Sequence, residues 1–159
     1  MIPKPIQDYL VSHYHHFEPH AHAPAMTAQE LAHAEHVSGY RVAKPVVVRL
    51  DGELAIAVVA ATDRVNLAAL EEATAGRAEL VPEREFAARF APCEAGAEPP
   101  LAMFGARVFV DERFMRERKI LMPAGTHEDA VALDTGEWLW CERVQPVLNL
   151  GRVGGAAAV

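Results

Sequence analysis

Residues 44–60 read KPVVVRLDGELAIAVVA. Two apolar runs flank Asp51–Gly52, the dipeptide type that most strongly signals a two-residue hairpin turn, because both turn positions need positive φ. The arms, PVVVRL (45–50) and ELAIAVVA (53–60), are apolar at nearly every position rather than at alternate ones. A strand of that kind is buried on both faces, so the hairpin belongs in the middle of a sheet and not on its edge. Lys44 stands at the mouth of the first arm. Either it snorkels, with its stem covered and its ammonium in water, or the ammonium faces a cleft and holds an anionic or carbonyl-bearing substrate. The stretch alone leaves both readings open.

Working outward, residues 5–17 form a first helix that stops before Pro19. TAQE (27–30) is a capping-box pattern, with Thr27 as N-cap and Glu30 three residues on, and its helix ends near Ser38–Gly39. Asn66 caps a helix running to about Ala75, with Gly76 just past its end. Pro82 suits the first turn of another helix, PEREFAARF (82–90). PCEAGAEPP (92–100) carries three prolines and a glycine and is read as irregular. ARVFV (106–110), KILM (119–122) and DAVAL (129–133) read as strands, with PAGTH (123–127) a tight loop between the last two. Asp134 caps a final helix, TGEWLWCERV (135–144), and GRVGGAAAV (151–159) reads as a loose tail. Helices and strands mix without strict βα alternation, so the fold is a single α+β domain around a mixed sheet.

The chain has 159 residues, 51% of them hydrophobic and 23% charged, which is enough to bury one proper core. MIPKPIQDYL at the start lacks the apolar stretch of a signal peptide. The longest apolar run, LAIAVVAA (54–61), is far too short to span a bilayer. Cys93 and Cys141 show neither CxxC nor zinc spacing and read as reduced thiols, so the cytoplasm is the expected location. A net charge of −7 argues against a broad phosphate-gripping surface, though not against contact with one end of a nucleic acid.

Few residues offer chemistry of their own. HYHHFEPHAH (13–22) places imidazoles at 13, 15, 16, 20 and 22, but without the spacing of a metal site; a solvated arm is the simpler reading. There is no GxSxG, no cysteine beside an activating histidine, and no Walker or dinucleotide glycine pattern. An enzyme built from this sequence works without covalent catalysis, metal or nucleotide cofactor, on a substrate that is already reactive. Three pieces remain: Lys44 and the loops GAEPP (96–100) and AGTH (124–127). Glycine lets backbone N–H groups approach a ligand closely, proline fixes the loop's shape, and rigid backbone donors can stabilise an oxyanion. Each loop taken singly is more often just a turn, and His127 singly reads as a hydrogen-bonded structural histidine.

Taken in order, TAQELAHAEHVSGYRVAKPVVVR (27–49), DRVNL (63–67), GAEPP, VFVD (108–111) and AGTH resemble the YbaK-type aminoacyl-tRNA deacylases, free-standing relatives of the editing domain of bacterial prolyl-tRNA synthetases. The resemblance runs from about residue 20 to 148. It implies a mixed, mostly antiparallel, barrel-like sheet flanked by helices, with the editing domain at 23–150, a helix and His-rich segment at 1–22 and a flexible tail at 151–159. It also implies hydrolysis of the ester that joins a wrong amino acid to the 3′-terminal ribose of a tRNA.

The family's lysine falls on Lys44, which would orient the 3′ end through a phosphate or carbonyl oxygen. Its GxxxP loop falls on Gly96, Ala97, Glu98, Pro99 and Pro100, and its GTH-type loop on Gly125, Thr126 and His127. Backbone groups of those loops would hold the aminoacyl moiety and the attacking water. Many relatives follow the proline loop with an aromatic and a glycine, where this chain has Leu101 and Ala102. The His-rich extension has no counterpart to carry over.

The leading expectation is a metal-independent trans-editing hydrolase without cofactor, acting on tRNA mischarged with a small amino acid such as Ala, Ser, Thr or Cys. Its partners would be the acceptor end of aminoacyl-tRNA and, as a further candidate, an aminoacyl-tRNA synthetase, with no membrane and no DNA. A non-catalytic module that sequesters an aminoacyl end or small ligand is the alternative, and a metal-binding His-rich arm the third.

Overall fold

The computed structural model describes residues 1–23, 28–34 and 42–153. Along the chain run α1 (Lys4–His13), β1 (Glu18–Ala21), α2 (Ala28–Ala34), β2 (Ala43–Leu50), β3 (Glu53–Ala60), β4 (Asp63–Val65), α3 (Leu67–Thr74), β5 (Ala78–Leu80), α4 (Glu83–Phe86), β6 (Arg107–Asp111), β7 (Lys119–Pro123), β8 (Asp129–Asp134), α5 (Thr135–Cys141), β9 (Gln145–Val147) and β10 (Gly151–Val153). Thr27 and Ser38–Gly39, read as the two ends of the second helix, lie outside the described residues.

The 44–60 hairpin forms as read. β2 and β3 pair antiparallel in the register Leu50↔Glu53, and Asp51 (φ 49) and Gly52 (φ 84) both take the positive φ that the turn requires. They sit inside a five-stranded sheet ordered β5-β2-β3-β6-β9, in which β6 runs parallel to both β3 and β9. Both faces of the hairpin are covered. Ala43, Val47, Ile56 and Val58 join a large core with Ile6 and Leu10 of α1, whereas Val48, Leu50, Ala57 and Val59 pack with Ala69 and Leu70 of α3. This two-sided burial is why the arms show no alternation.

A second sheet, β1-β8-β7, is antiparallel throughout and meets the first through a bridge between Val42 and Leu121. β4 and β10 form a two-stranded ribbon. The α+β class is as read, but the described strands make open sheets and no closed barrel.

Three local readings change. α1 ends at His13 rather than 17, because Glu18–Ala21 pair with β8 and the chain turns extended at Tyr14 (φ −119, ψ 138). Residues 151–153, assigned to the tail, are held in β10 by pairing with β4. The final helix stops at Cys141; Glu142 is its C-cap, and Arg143 follows at φ 53.

Asn66 caps α3 by accepting from Ala69 N–H, but the left-handed residue at its far end is Ala75 (φ 56), not Gly76. Gly76 is needed for a different reason: a Cβ there would lie 2.6 Å from Asp51 Oδ2. Asp134 caps α5 by accepting from Glu137 N–H at 2.8 Å.

Two buried polar clusters complete the scaffold. Glu142 accepts from Tyr9 Oη (2.7 Å), Tyr14 Oη (2.5 Å) and Ala102 N–H (2.7 Å), which fastens α1 to α5. Burial raises the pKa of both tyrosines, and their hydrogen bonds to Glu142 add to it. Asp111 receives Arg113 Nη2 at 2.6 Å and Gly151 N–H at 3.0 Å, and Arg113 also pairs with Asp63.

Candidate functional site

A cavity of about 440 Å³ opens between β2, the segment from Leu80 to Glu98, and the β7–β8 hairpin, with one residue each from the end of β1 and from α2. That volume lies in the range of small-molecule sites. Its apolar wall includes Leu31, Val46, Val47, Val81 and Phe86, and its polar groups include Lys44, Glu83, Glu98, Thr126, Asp129 and His22.

Lys44 lies at the start of β2 and is half-buried, and its Nζ donates to the Asp63 carbonyl. Burial lowers its pKa, the neighbouring Arg64 charge lowers it further, and Asp63 opposes both. Lys44 therefore lines the cavity with its ammonium tethered to a backbone carbonyl.

The two glycine loops read from the sequence come together. Gly125 N–H donates to Ala97 O at 2.8 Å, and Glu94 N–H donates to Gly125 O at 2.8 Å. His127 N–H donates to Glu94 Oε1 at 2.7 Å, which closes the same junction. Gly96, Ala97, Glu98 and Thr126 line the cavity; Gly125, His127, Pro99 and Pro100 do not. Pro99 and Pro100 are buried, and the Pro100 carbonyl accepts from Trp138 Nε1 at 3.0 Å, so these prolines set the loop against the core.

Gly125 answers to the opposite side. Its φ is +100, and a Cβ there would sit 2.8 Å from Ile6 Cδ1 and from the Pro3 ring. The close approach that a missing side chain permits at this glycine is to the start of α1.

Glu98 is 8% exposed, and its Oε1 accepts from Gly96 N–H at 3.1 Å. Burial raises its pKa against the backbone hydrogen bonds that favour the charged form. Asp129, unremarked in the sequence beyond its place in a strand, is a buried carboxylate of the cavity. Thr126 Oγ1 donates to its Oδ2 at 2.5 Å, and the Met1 ammonium lies 2.8 Å from the same oxygen. Burial works to raise the Asp129 pKa, but the bonds from the Met1 ammonium and Thr126 outweigh it and hold the pKa low. The spacing Thr126-x-x-Asp129 around a turn was the available signal. His22 of the His-rich stretch reaches the cavity, whereas His13 stacks on Tyr9 with ring centroids 4.0 Å apart. Among the described residues no group of three or more His, Cys, Asp or Glu is placed to hold a metal ion, and no helix is long and apolar enough to cross a membrane.

Residues 22–139 match the family model of the aminoacyl-tRNA editing domain. The chain belongs to that family. The substrate class of an editing domain is aminoacyl-tRNA, and the YbaK-type resemblance read from the sequence agrees with the match. No curated protein matches the chain in sequence.

Among solved structures, a candidate trans-editing enzyme for prolyl-tRNA synthetase is similar at 17% identity and a TM-score of 0.80, over 95% of this chain and 96% of that one. A structure from a study of epitope backbone grafting onto scaffold proteins by computational design is similar at 18% identity and a TM-score of 0.79, over 96% and 97%. At these identities the likeness concerns the fold alone. The editing-domain match begins at His22, yet α1 before it supplies Ile6 and Leu10 to the main core. The helix is therefore built into this editing domain.

Proposed function

We propose that this editing domain is a trans-acting aminoacyl-tRNA deacylase that clears tRNA mischarged with a small amino acid such as Ala, Ser, Thr or Cys. The observation that carries the reading is the sharing of one cavity by the Lys44 cation, the Gly96–Glu98 loop and Thr126. Lys44 holds a phosphate or carbonyl oxygen of the terminal aminoacyl-adenosine. Gly96, Ala97, Glu98 and Thr126 border the aminoacyl moiety, with the Glu98 carboxyl on the side of its α-amino group. Gly125, His127, Pro99 and Pro100 act from behind, by fixing the two loops to each other and to the core.

Water adds to the ester carbonyl, the bond from the acyl carbon to the ribose oxygen breaks, and the products are the free amino acid and a tRNA with its terminal hydroxyl restored. An aminoacyl ester is activated already, so positioning and oxyanion stabilisation suffice. No metal takes part, and deacylation in excess chelator proceeds at the untreated rate; activity lost in chelator and restored by zinc would contradict this.

The direct test of the function is a panel of tRNAs charged with different amino acids. Multiple-turnover deacylation of at least one small-residue mischarged tRNA is the expected result. Tight binding of all of them with no hydrolysis would assign the domain to the sequestering alternative.

A further inference from the structure

β4 and β10 pair antiparallel with Arg64 directly opposite Arg152. Directly opposed residues share one face of the ribbon, and like charges so placed destabilise a pair. Among the described residues, nothing pairs with the Arg64 side chain. Its Nε is buried without a hydrogen-bond partner, and among the described residues no hydrogen bond or ion pair reaches its guanidinium. Asp63 beside it pairs with Arg113 through Oδ2, and its buried Oδ1 makes no hydrogen bond to Arg64 or to any other described group. On the other side, Arg64 is near enough to Lys44 to help depress its pKa.

Arg152 is exposed and donates through Nη2 to Asn66 Oδ1 at 2.8 Å. It lines a second groove of about 390 Å³ with Asn66, Glu72 and Asn149. Three cations thus form a row of neighbours: Lys44, which lines the editing cavity and donates to the carbonyl of Asp63, then Arg64, next to Asp63 in the chain, then Arg152 opposite it beside a second groove. This row exists in a chain of net charge −7.

We propose that Arg64, supported by Arg152, is a substrate-positioning site that takes a backbone phosphate of the single-stranded 3′ end of tRNA while the terminal aminoacyl group occupies the cavity. A phosphate takes up guanidinium donors in the paired geometry that guanidinium favours. Its charge also relieves the repulsion between Arg64 and Arg152. The row gives the strand a direction, leaving the cavity past Lys44 and crossing the ribbon towards the second groove. The inference rests on the editing function proposed above and adds to it the path of the nucleic acid.

The test measures binding of uncharged tRNA and of a CCA trinucleotide by fluorescence anisotropy across a salt series, for wild type, Arg64→Ala, Arg64→Lys and Arg152→Ala. Melting curves serve as the folding control. Using uncharged RNA separates the outcome from any failure of deacylation. Arg64→Ala should bind both probes about 10-fold more weakly, with the slope of log affinity against log salt shallower by about 0.7, the value for one phosphate contact on a single strand. Arg64→Lys keeps the charge but not the fork, and should restore the salt slope while recovering only part of the affinity. Arg152→Ala should weaken tRNA more than the trinucleotide. Wild-type affinity and slope in a folded Arg64→Ala protein would overturn the proposal, as would an affinity loss with no change in slope.

Discussion

Gly125→Ala separates packing from ligand contact at the loop that the sequence marks for the site. Two penalties add in the structure. A side chain at φ +100 sits outside the regions that L-residues favour, which costs about 1–3 kcal/mol. The new methyl would also lie 2.8 Å from Ile6 Cδ1 and from Pro3 Cγ and Cδ. Forcing α1 to yield in that way costs about 1–3 kcal/mol more. The sum, roughly 2–6 kcal/mol, lowers Tm by about 5–20 °C in a domain of this size. Gly52→Ala is the internal control, because Gly52 also has positive φ (+84) but a Cβ there meets nothing within 4 Å. It should show the backbone penalty alone. Differential scanning calorimetry of the three proteins measures both. A Gly125→Ala protein melting within about 2 °C of wild type, or no lower than Gly52→Ala, would refute the packing account and return Gly125 to the ligand side.

Glu98→Gln should be more stable than wild type at pH 7. Burial raises the Glu98 pKa, so between the ordinary carboxylate range and that raised value the folded state binds more protons than the unfolded one. Wild-type stability therefore falls as pH rises through this window, and the glutamine removes the slope. Urea denaturation from pH 4 to 8 reads it, and a variant less stable than wild type at pH 7 would contradict the assignment. Tyr14→Phe leaves Glu142 Oε2 without its 2.5 Å donor in a buried site, and should cost about 1–3 kcal/mol in urea melts with kcat unchanged. A loss of turnover without loss of stability would place Glu142 in the chemistry instead of the scaffold.

Local signals account for what was legible in the sequence. Asp51–Gly52 between two apolar runs places the central hairpin, because turn chemistry and two-sided burial are both written in neighbouring residues. β1 leaves no such trace. Glu18–Ala21 is short, largely exposed and polar, and it becomes a strand because β8 offers an edge to pair with. Gly125 was visible as a constrained glycine, but the atoms that constrain it belong to Pro3 and Ile6, far away in the chain. Lys44, Gly96 and Thr126, which lie far apart in the sequence, line one cavity. Asp129 and Arg64 were hidden for another reason: one is a carboxylate at the head of an apolar strand and the other a cation in a short ribbon, and their importance lies in partners gained or missing after folding.

The central claim is that the Lys44 ammonium positions the ester. Single-turnover hydrolysis of a mischarged tRNA by wild type, Lys44→Ala and Lys44→Arg tests it most directly, with melting curves beside it. Truncation also removes the charge-assisted bond to the Asp63 carbonyl, so a loss of about 1.5–3 kcal/mol in stability accompanies it and leaves the protein folded. Deacylation should fall about 100-fold or more in Lys44→Ala, since removing one such electrostatic contact costs around 3 kcal/mol of transition-state stabilisation. Lys44→Arg should rescue poorly, because a planar guanidinium does not replace a compact ammonium beside the cavity wall. Wild-type rates in a folded Lys44→Ala protein would contradict the account and leave Lys44 as a structural cation at the mouth of β2.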